Sequence, residues 1–428
     1  MKVDEIAQLK KITRKLTLRF AIIQGTYWMA FAALISFASV YLLSKGFTNV
    51  EIGFVMAFSN VAAVFVQPVL AAIADNNKSL QLKNLIAITL CAAIITAFIL
   101  IWIPQIFWII ILVFMSVVIL QLSLQPLINS LSFEYAKQGI LLNFGVARAC
   151  GSISFAILTS FLGGLVEEYS TVVLPLSYVL CSLVCVAVTL SFRISKKQKA
   201  EQQSEGLDKQ ELIHQSLEIQ FDEDSVSSNE IERKKDAFAF VRIYPRFFVL
   251  LLGVVLVLFS HCCLNTFTIQ IIENVGGNSN DMGLTFSLAA LAEIPTMVFF
   301  AFLVKKVKCS TLFRISGIFF CIKNLVAVMA VNVFWIHISQ GFQLLAYALF
   351  LPASVYYANL IMKEHDKVKG QAFLGVAACI AGSTGSLIGG ILIDSFSVSM
   401  MMWFSMFVAL IGAIIIFFAV ENTKLQRV

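Results

Sequence analysis

Twelve mainly apolar stretches, each long enough to cross a bilayer, follow one another through almost the whole chain. The hydrocarbon core is about 30 Å thick, which takes about 20 helical residues. The stretches run Leu18–Leu43, Ile52–Ala74, Leu85–Ile103, Phe107–Leu131, Phe144–Val166 and Val172–Phe192, then Phe247–Ile272, Met282–Val304, Leu312–Val331, Phe334–Met362, Ala372–Ile393 and Met400–Val420. In lipid each backbone N–H and C=O must be satisfied within the segment, so each stretch is predicted as a membrane-spanning α-helix. A water-soluble fold is excluded: 59% of the residues are hydrophobic and 13% are charged, about half the charged share of a soluble domain. The polar segment Met1–Lys15 carries no cleavage site after a short apolar run, so the first span is expected to be retained.

Lys and Arg set the expected orientation. With the N-terminus in the cytoplasm, Lys45 is the one basic residue in the external loops, while Lys10, Lys11, Arg14, Lys15, Lys78, Lys83, Lys196, Lys197, Lys305, Lys306, Lys308, Lys363, Lys367 and Lys369 gather inside. This asymmetry predicts a multi-pass protein of the cytoplasmic (inner) membrane with both termini cytoplasmic. The net charge of +6 then reports topology, and without a basic–aromatic patch no nucleic-acid partner is expected. No cysteine falls in an external loop, so no structural disulfide is expected. Cys181 and Cys185 lie one turn apart without His or carboxylate neighbours and read as packing, so neither a metal nor another cofactor is expected.

The fold class expected is an all-α polytopic membrane protein, with a six-helix bundle over residues 1–192, a cytoplasmic linker over 193–246 and a second six-helix bundle over 247–428. The linker has an acidic centre and basic ends and reads as a tether. The halves repeat: Gly46 and Gly276, Gly53 and Gly283, and Gly145 and Gly375 are each separated by 230 positions. With an even number of spans per half, the copies run parallel, about an axis along the membrane normal. Such a pair encloses a mid-membrane cavity suited to alternating access.

Particular motifs sharpen this. "VQPVLAAIADN" (Val66–Asn76) resembles the loop-two signature of the major facilitator superfamily, with Asp75 as its acidic gating residue, followed by the degraded "NNKSLQLK". The run "PLINSLSFEYAKQGILLNFGVARACGSISF" (Pro126–Phe155) is similar to the branch containing lactose permease and the nucleoside–proton symporters. "AEIP" (Ala292–Pro295) and the run Lys369–Asp394 are similar to the same branch. The resemblance implies a twelve-helix transporter, a substrate-binding arginine at Arg148, a substrate-contacting acid at Glu293 and a basic residue on span nine at Lys323. The chain departs from that branch where Asn129 replaces an acidic residue, and where Gln340–Gly341–Phe342–Gln343 replaces the His–x–x–Glu of span ten.

The residues point the same way on their own chemistry. Charges inside spans cost a few kcal/mol each, so Arg148, Glu293 and Lys323 need a reason to be there. Arg148 lies among Ala147, Ala149 and Gly151, which leave room for a guanidinium fork to reach a cavity; the alternative is an arginine snorkelling to the interface. Glu293, about 15–18 Å from either end of its span, lies too deep to snorkel, and it must be neutral or paired. With Lys323 as its partner it is the candidate for proton coupling, against the alternative of a static pair fixing two helices. His261 is a second proton candidate or a hydrogen-bonded packing residue. Asn129, Asn265, Gln270, Gln340 and Gln343 would give a neutral hydrogen-bonding lining, or serve as helix glue. Gln24, Tyr27 and Trp28 are placed to stack on a ring or to pack. Gly382, Gly385 and Gly389 read as a packing face; Glu167, Glu168, Asp281 and Asp394 lie at helix ends and call for no special role.

The expectation is a monomeric secondary transporter, H⁺-coupled, carrying a small polar solute such as a sugar, oligosaccharide or nucleoside. The alternatives are an efflux antiporter of the same superfamily and a non-transporting membrane sensor. An enzyme is not expected, because no zinc His–Glu–x–x–His, paired intramembrane Asp or Gly–Lys–Ser nucleotide loop is present.

Overall fold

The computed structural model describes residues 3–76, 80–136, 142–191 and 237–421. Among these, twelve helices are long and apolar enough to cross a membrane: Thr13–Ser36, Asn49–Asp75, Leu82–Trp102, Phe107–Ser132, Phe144–Tyr169, Val173–Leu190, Pro245–Thr266, Ser279–Lys306, Cys309–Val328, Val333–Ile361, Glu364–Ser395 and Val398–Ala419. They match the twelve expected spans, so the protein is a polytopic all-α membrane protein. Large side chains such as Phe65, Trp102, Trp108 and Phe418 stand exposed on the outside of the bundle, where lipid rather than water suits them. Most of the expected linker lies outside the described residues, as do residues 77–79 of the loop-two motif and residues 137–141. The linker's end forms a short helix, Ala237–Ile243, whose buried Phe240 stacks on Phe373 of span eleven at 5.3 Å.

The 230-residue repeat has structural counterparts. Gly46 and Gly276 both take positive φ, +85° and +82°, where a side chain would be strained. Spans one and seven both break at a buried phenylalanine, Phe37 and Phe267, again 230 positions apart. Span one enters its break through a π-turn, Ala32–Ser36, a local rewinding of the kind found at functional kinks.

Contacts between the first six and last six spans gather on one face of the bundle, the face that carries Lys45, Glu168 and Asn278. There span two lies on span eleven, and span five on span eight. Asp394 at the end of span eleven accepts from the backbone N–H of Asn49 (3.3 Å) and Val50 (2.7 Å), the first residues of span two. Glu167 at the end of span five accepts from the N–H of Ser279, the first residue of span eight, at 2.9 Å. Each carboxylate thus satisfies an orphan N–H at the positive end of a helix in the other half. Gln270 donates to Asn49 at 2.7 Å, and Ser39 to the Thr266 carbonyl. Helix backbones touch at Gly53 against Ser386, Gly283 against Thr159, Gly163 against Ser279 and Gly390 against Asn49. This face is sealed. Towards the opposite face, a side chain added at Gly375 would meet nothing, and one at Gly145 only Asn143 Oδ1 of its own helix cap, at 3.7 Å, so no contact between the halves closes the bundle there.

These contacts also correct the repeat register. Glu167 matches Asp394, Gly163 matches Gly390 and Thr159 matches Ser386, all at an offset of 227. Spans five and eleven are unbroken helices, and an unbroken helix cannot absorb three extra residues. The Gly145–Gly375 match is therefore a turn out of register. Gly385 and Gly389 do serve packing, on Phe259 and Cys263 of span seven.

Candidate solute site at the middle of the spans

Arg148 and Trp28 form the first wall. Gly151, one turn beyond Arg148, admits the indole edge of Trp28; a Cβ there would sit 2.7 Å from Trp28 Cδ1. The ring then lies under the guanidinium, with Arg148 Cζ 4.2 Å from its centroid, a cation–π contact. Arg148 Nη1 donates to Ser152 Oγ at 3.0 Å. Tyr27 meets Trp28 edge-on at 5.5 Å and donates to the Gln121 carbonyl, so it packs. Gln24 donates to Asn129 Oδ1 at 3.0 Å, tying span one to span four beside this wall.

The second wall comes from spans seven to ten. Span ten is not one helix: it breaks at a 3-10 turn, Phe342–Leu344, between Val333–Gly341 and Tyr347–Ile361. The break frees backbone carbonyls inside the membrane, and Thr296 of span eight donates to the Leu344 carbonyl at 2.6 Å. Gln343 sits in the break. An ammonium has donors only, so the Gln343 carbonyl oxygen faces Lys323 Nζ (2.5 Å) and its amide nitrogen is left to donate to Glu293 Oε1 (2.9 Å). Glu293 and Lys323 are therefore not in direct contact, contrary to the pairing expected; a neutral amide stands between them. Lys323 and Gln343 are 5% and 3% exposed, behind the more accessible Glu293. His261 stacks on Tyr347 with centroids 4.4 Å apart, and its Nε2 bonds the exposed Asn265 amide at 3.0 Å. Arg148, Glu293 and Tyr347 lie within Coulomb range of one another, which joins the walls into one site.

Other expected residues lie elsewhere. Gln270 belongs to the sealed face, because span seven breaks at Phe267 and carries it outward. Gln340 precedes the span-ten break and donates to its neighbour Ser339 at 3.4 Å, outside the Lys323–Gln343–Glu293 chain. Asp75 is exposed at the end of span two. Cys185 donates to the Ile23 carbonyl at 3.8 Å, a packing contact. Sequence reasoning missed Ser152, Tyr347 and the span-ten break, although a glycine followed by a polar residue in mid-span, as in Gly341–Phe342–Gln343, was a readable signal for the last. It also missed Glu167 and Asp394, which nothing local distinguishes from ordinary helix-end acids.

The model of the MFS_1 like family matches residues 20–406. An uncharacterized transporter, YwbF of Bacillus subtilis (strain 168), is 22% identical over 354 residues, covering 81% of this chain and 79% of that one. Among solved structures, the nucleoside transporter NupG superposes with a TM-score of 0.74 at 16% identity, over 95% of this chain and 100% of its own. A bacterial homologue of the human lysosomal transporter Spinster, solved inward-facing and unoccupied, gives a TM-score of 0.66 at 12% identity, over 95% of this chain and 96% of that one. These likenesses show the shared fold.

Proposed function

Because the chain belongs to the MFS_1 like family of membrane transporters, we propose that it is a secondary active transporter carrying a small polar solute, a sugar or nucleoside, by alternating access with proton symport. The observation that carries this reading is the mid-membrane site itself. A guanidinium on an indole faces a carboxylate whose far side is tied through Gln343 to a buried lysine. The wall of Arg148, Trp28 and Asn129 belongs to the first six spans, and that of Glu293, Asn265, Gln343 and His261 to the last six. A solute bridging the walls would hold both halves. The nucleoside transporter NupG supports the solute class by likeness of fold. A drug exporter would suit a mainly apolar site, whereas Arg148, Glu293, Lys323, Gln343 and Asn265 make this one polar.

The Lys and Arg asymmetry supports a cytoplasmic-membrane protein with both termini inside. On that orientation the sealed face is external, the structure is inward-facing, and residues 1–192 and 247–428 rock as two bodies within one monomer, tethered by 193–246, with Asp75 at the cytoplasmic end of span two. Single cysteines at Lys45 and Glu168 should react with an impermeant thiol reagent from outside, and one at Lys308 only after permeabilisation. Cytoplasmic labelling at Glu168 would break the orientation.

The decisive experiment is uptake of labelled sugars and nucleosides into energised vesicles, with and without a collapsed pH gradient. Arg148→Lys should weaken uptake at least about tenfold with normal membrane insertion, because an ammonium lacks the planar fork and the stacking face. Near-normal solute affinity in that variant would return Arg148 to a structural role.

A further inference from the structure

We propose that the solute carries one negative charge: a carboxylate-bearing polyol, of the sugar-acid kind, whose carboxylate docks on Arg148 while its carbon skeleton lies along Trp28. This rests on the transporter reading of the same site. Three charged side chains meet at this site: Arg148 on its indole, and Lys323 and Glu293 at the two ends of Gln343. Two are cationic and one anionic. However they are paired, one positive charge is left over.

The geometry says which cation is spare. Lys323 and Glu293 hold the two ends of one Gln343 amide, and this set is neutral within itself. Arg148 has Ser152 Oγ and the Trp28 face as partners and Glu293 only at Coulomb range. A guanidinium has five N–H donors in a planar fork, and one hydrogen bond to a hydroxyl leaves the fork largely unfilled. While the site is open to the aqueous face, water can hydrate it. Alternating access requires the halves to close over the site, expelling water and leaving a lone charge in a low-dielectric interior, where an uncompensated ion is unfavourable. A neutral sugar or nucleoside does not remove that charge. A carboxylate does, in the bidentate geometry an arginine fork matches best.

The test is ligand binding to the purified full-length protein, read by tryptophan fluorescence and thermal stabilisation, and uptake into vesicles. The probes are matched pairs, D-glucuronate with D-glucose, D-galacturonate with D-galactose and D-gluconate with D-sorbitol, together with glucuronamide, uridine and adenosine. In at least one pair the acid is expected to bind about 10- to 100-fold more tightly than its neutral partner, the worth of a charged hydrogen-bonded pair. Glucuronamide should behave like glucose, a control that needs no variant. Arg148→Gln should bring the acid-to-neutral ratio close to one. A neutral sugar or nucleoside that binds as tightly as every acid overturns the negative-charge inference and leaves the transporter reading standing. If no probe of either kind binds or is taken up, both fall.

Discussion

Glu293→Gln is expected to abolish proton-driven accumulation while leaving solute exchange intact. The substituted amide keeps the shape of the side chain and an oxygen to accept from Gln343 Nε2, the bond that the carboxylate makes at 2.9 Å. It cannot gain or lose a proton, so it mimics the neutral form permanently. In vesicles, one pH unit of gradient supports about tenfold accumulation if one proton accompanies each solute. The variant should stop at equal concentrations on the two sides, yet still exchange labelled for unlabelled solute. Gln343→Leu gives the companion result: it strips both Lys323 and Glu293 of a partner at once, and coupled uptake should fall with it. Accumulation persisting in Glu293→Gln under a pH gradient would pass the coupling role to His261 or to another ion. An unmutated protein indifferent to the gradient would remove proton coupling altogether.

Gly53→Leu and Gly283→Leu are expected to hold the sealed face open. At each position an added Cβ falls onto a backbone carbonyl of the other half, Ser386 or Thr159, and a helix backbone cannot rotate aside as a side chain can. Overpacking of this kind costs about 1–3 kcal/mol, a shift of roughly 5- to 150-fold in the balance between closed and open forms. A reporter cysteine at Gln270, whose side chain bonds Asn49 across the seal, should then react with an impermeant reagent faster by that factor, and net transport should fall in proportion. Both substitutions should act alike, since the two contacts are pseudo-symmetric. Gly375→Leu meets nothing in this conformation and the Cβ of Gly145→Leu meets only Asn143 Oδ1 of the same half, at an ordinary 3.7 Å, so both should leave the labelling rate unchanged. Equal labelling in all four variants would mean that close helix approach does not govern the seal.

Much of this was legible in the sequence, and the residues show why. The spans follow from length and hydropathy because lipid allows few alternatives, and Arg148, Glu293 and Lys323 stand out because charge in an apolar run is rare. The turn glycines Gly46 and Gly276 were readable as a repeat because each keeps a positive φ that other residues avoid. What the sequence withheld was partnership. Glu293 and Lys323 lie on neighbouring spans and look like a pair, but the break in span ten inserts Gln343 between them. Gln270 shares a span with His261 in sequence, yet a break at Phe267, an ordinary hydrophobic residue, carries it to the seal. Glu167 and Asp394 take their role from helix ends more than 100 residues away, and local pattern has no access to that distance.

The break in span ten has a mechanical consequence. A continuous helix spreads any force along its length, whereas a turn such as Phe342–Leu344 acts as an elbow with a stiff arm on one side. That arm, Val333–Gly341, is nine residues long, about 13 Å at 1.5 Å per residue. Its elbow holds the Gln343 amide between lysine and carboxylate, and its midpoint brings His337 Nε2 to within 3.3 Å of the Asp281 carbonyl in the first turn of span eight. That first turn begins at Ser279, whose N–H is bonded to Glu167 of the other half. A displacement of Gln343 by whatever occupies the centre is thereby delivered, by leverage, to the rim that has to part.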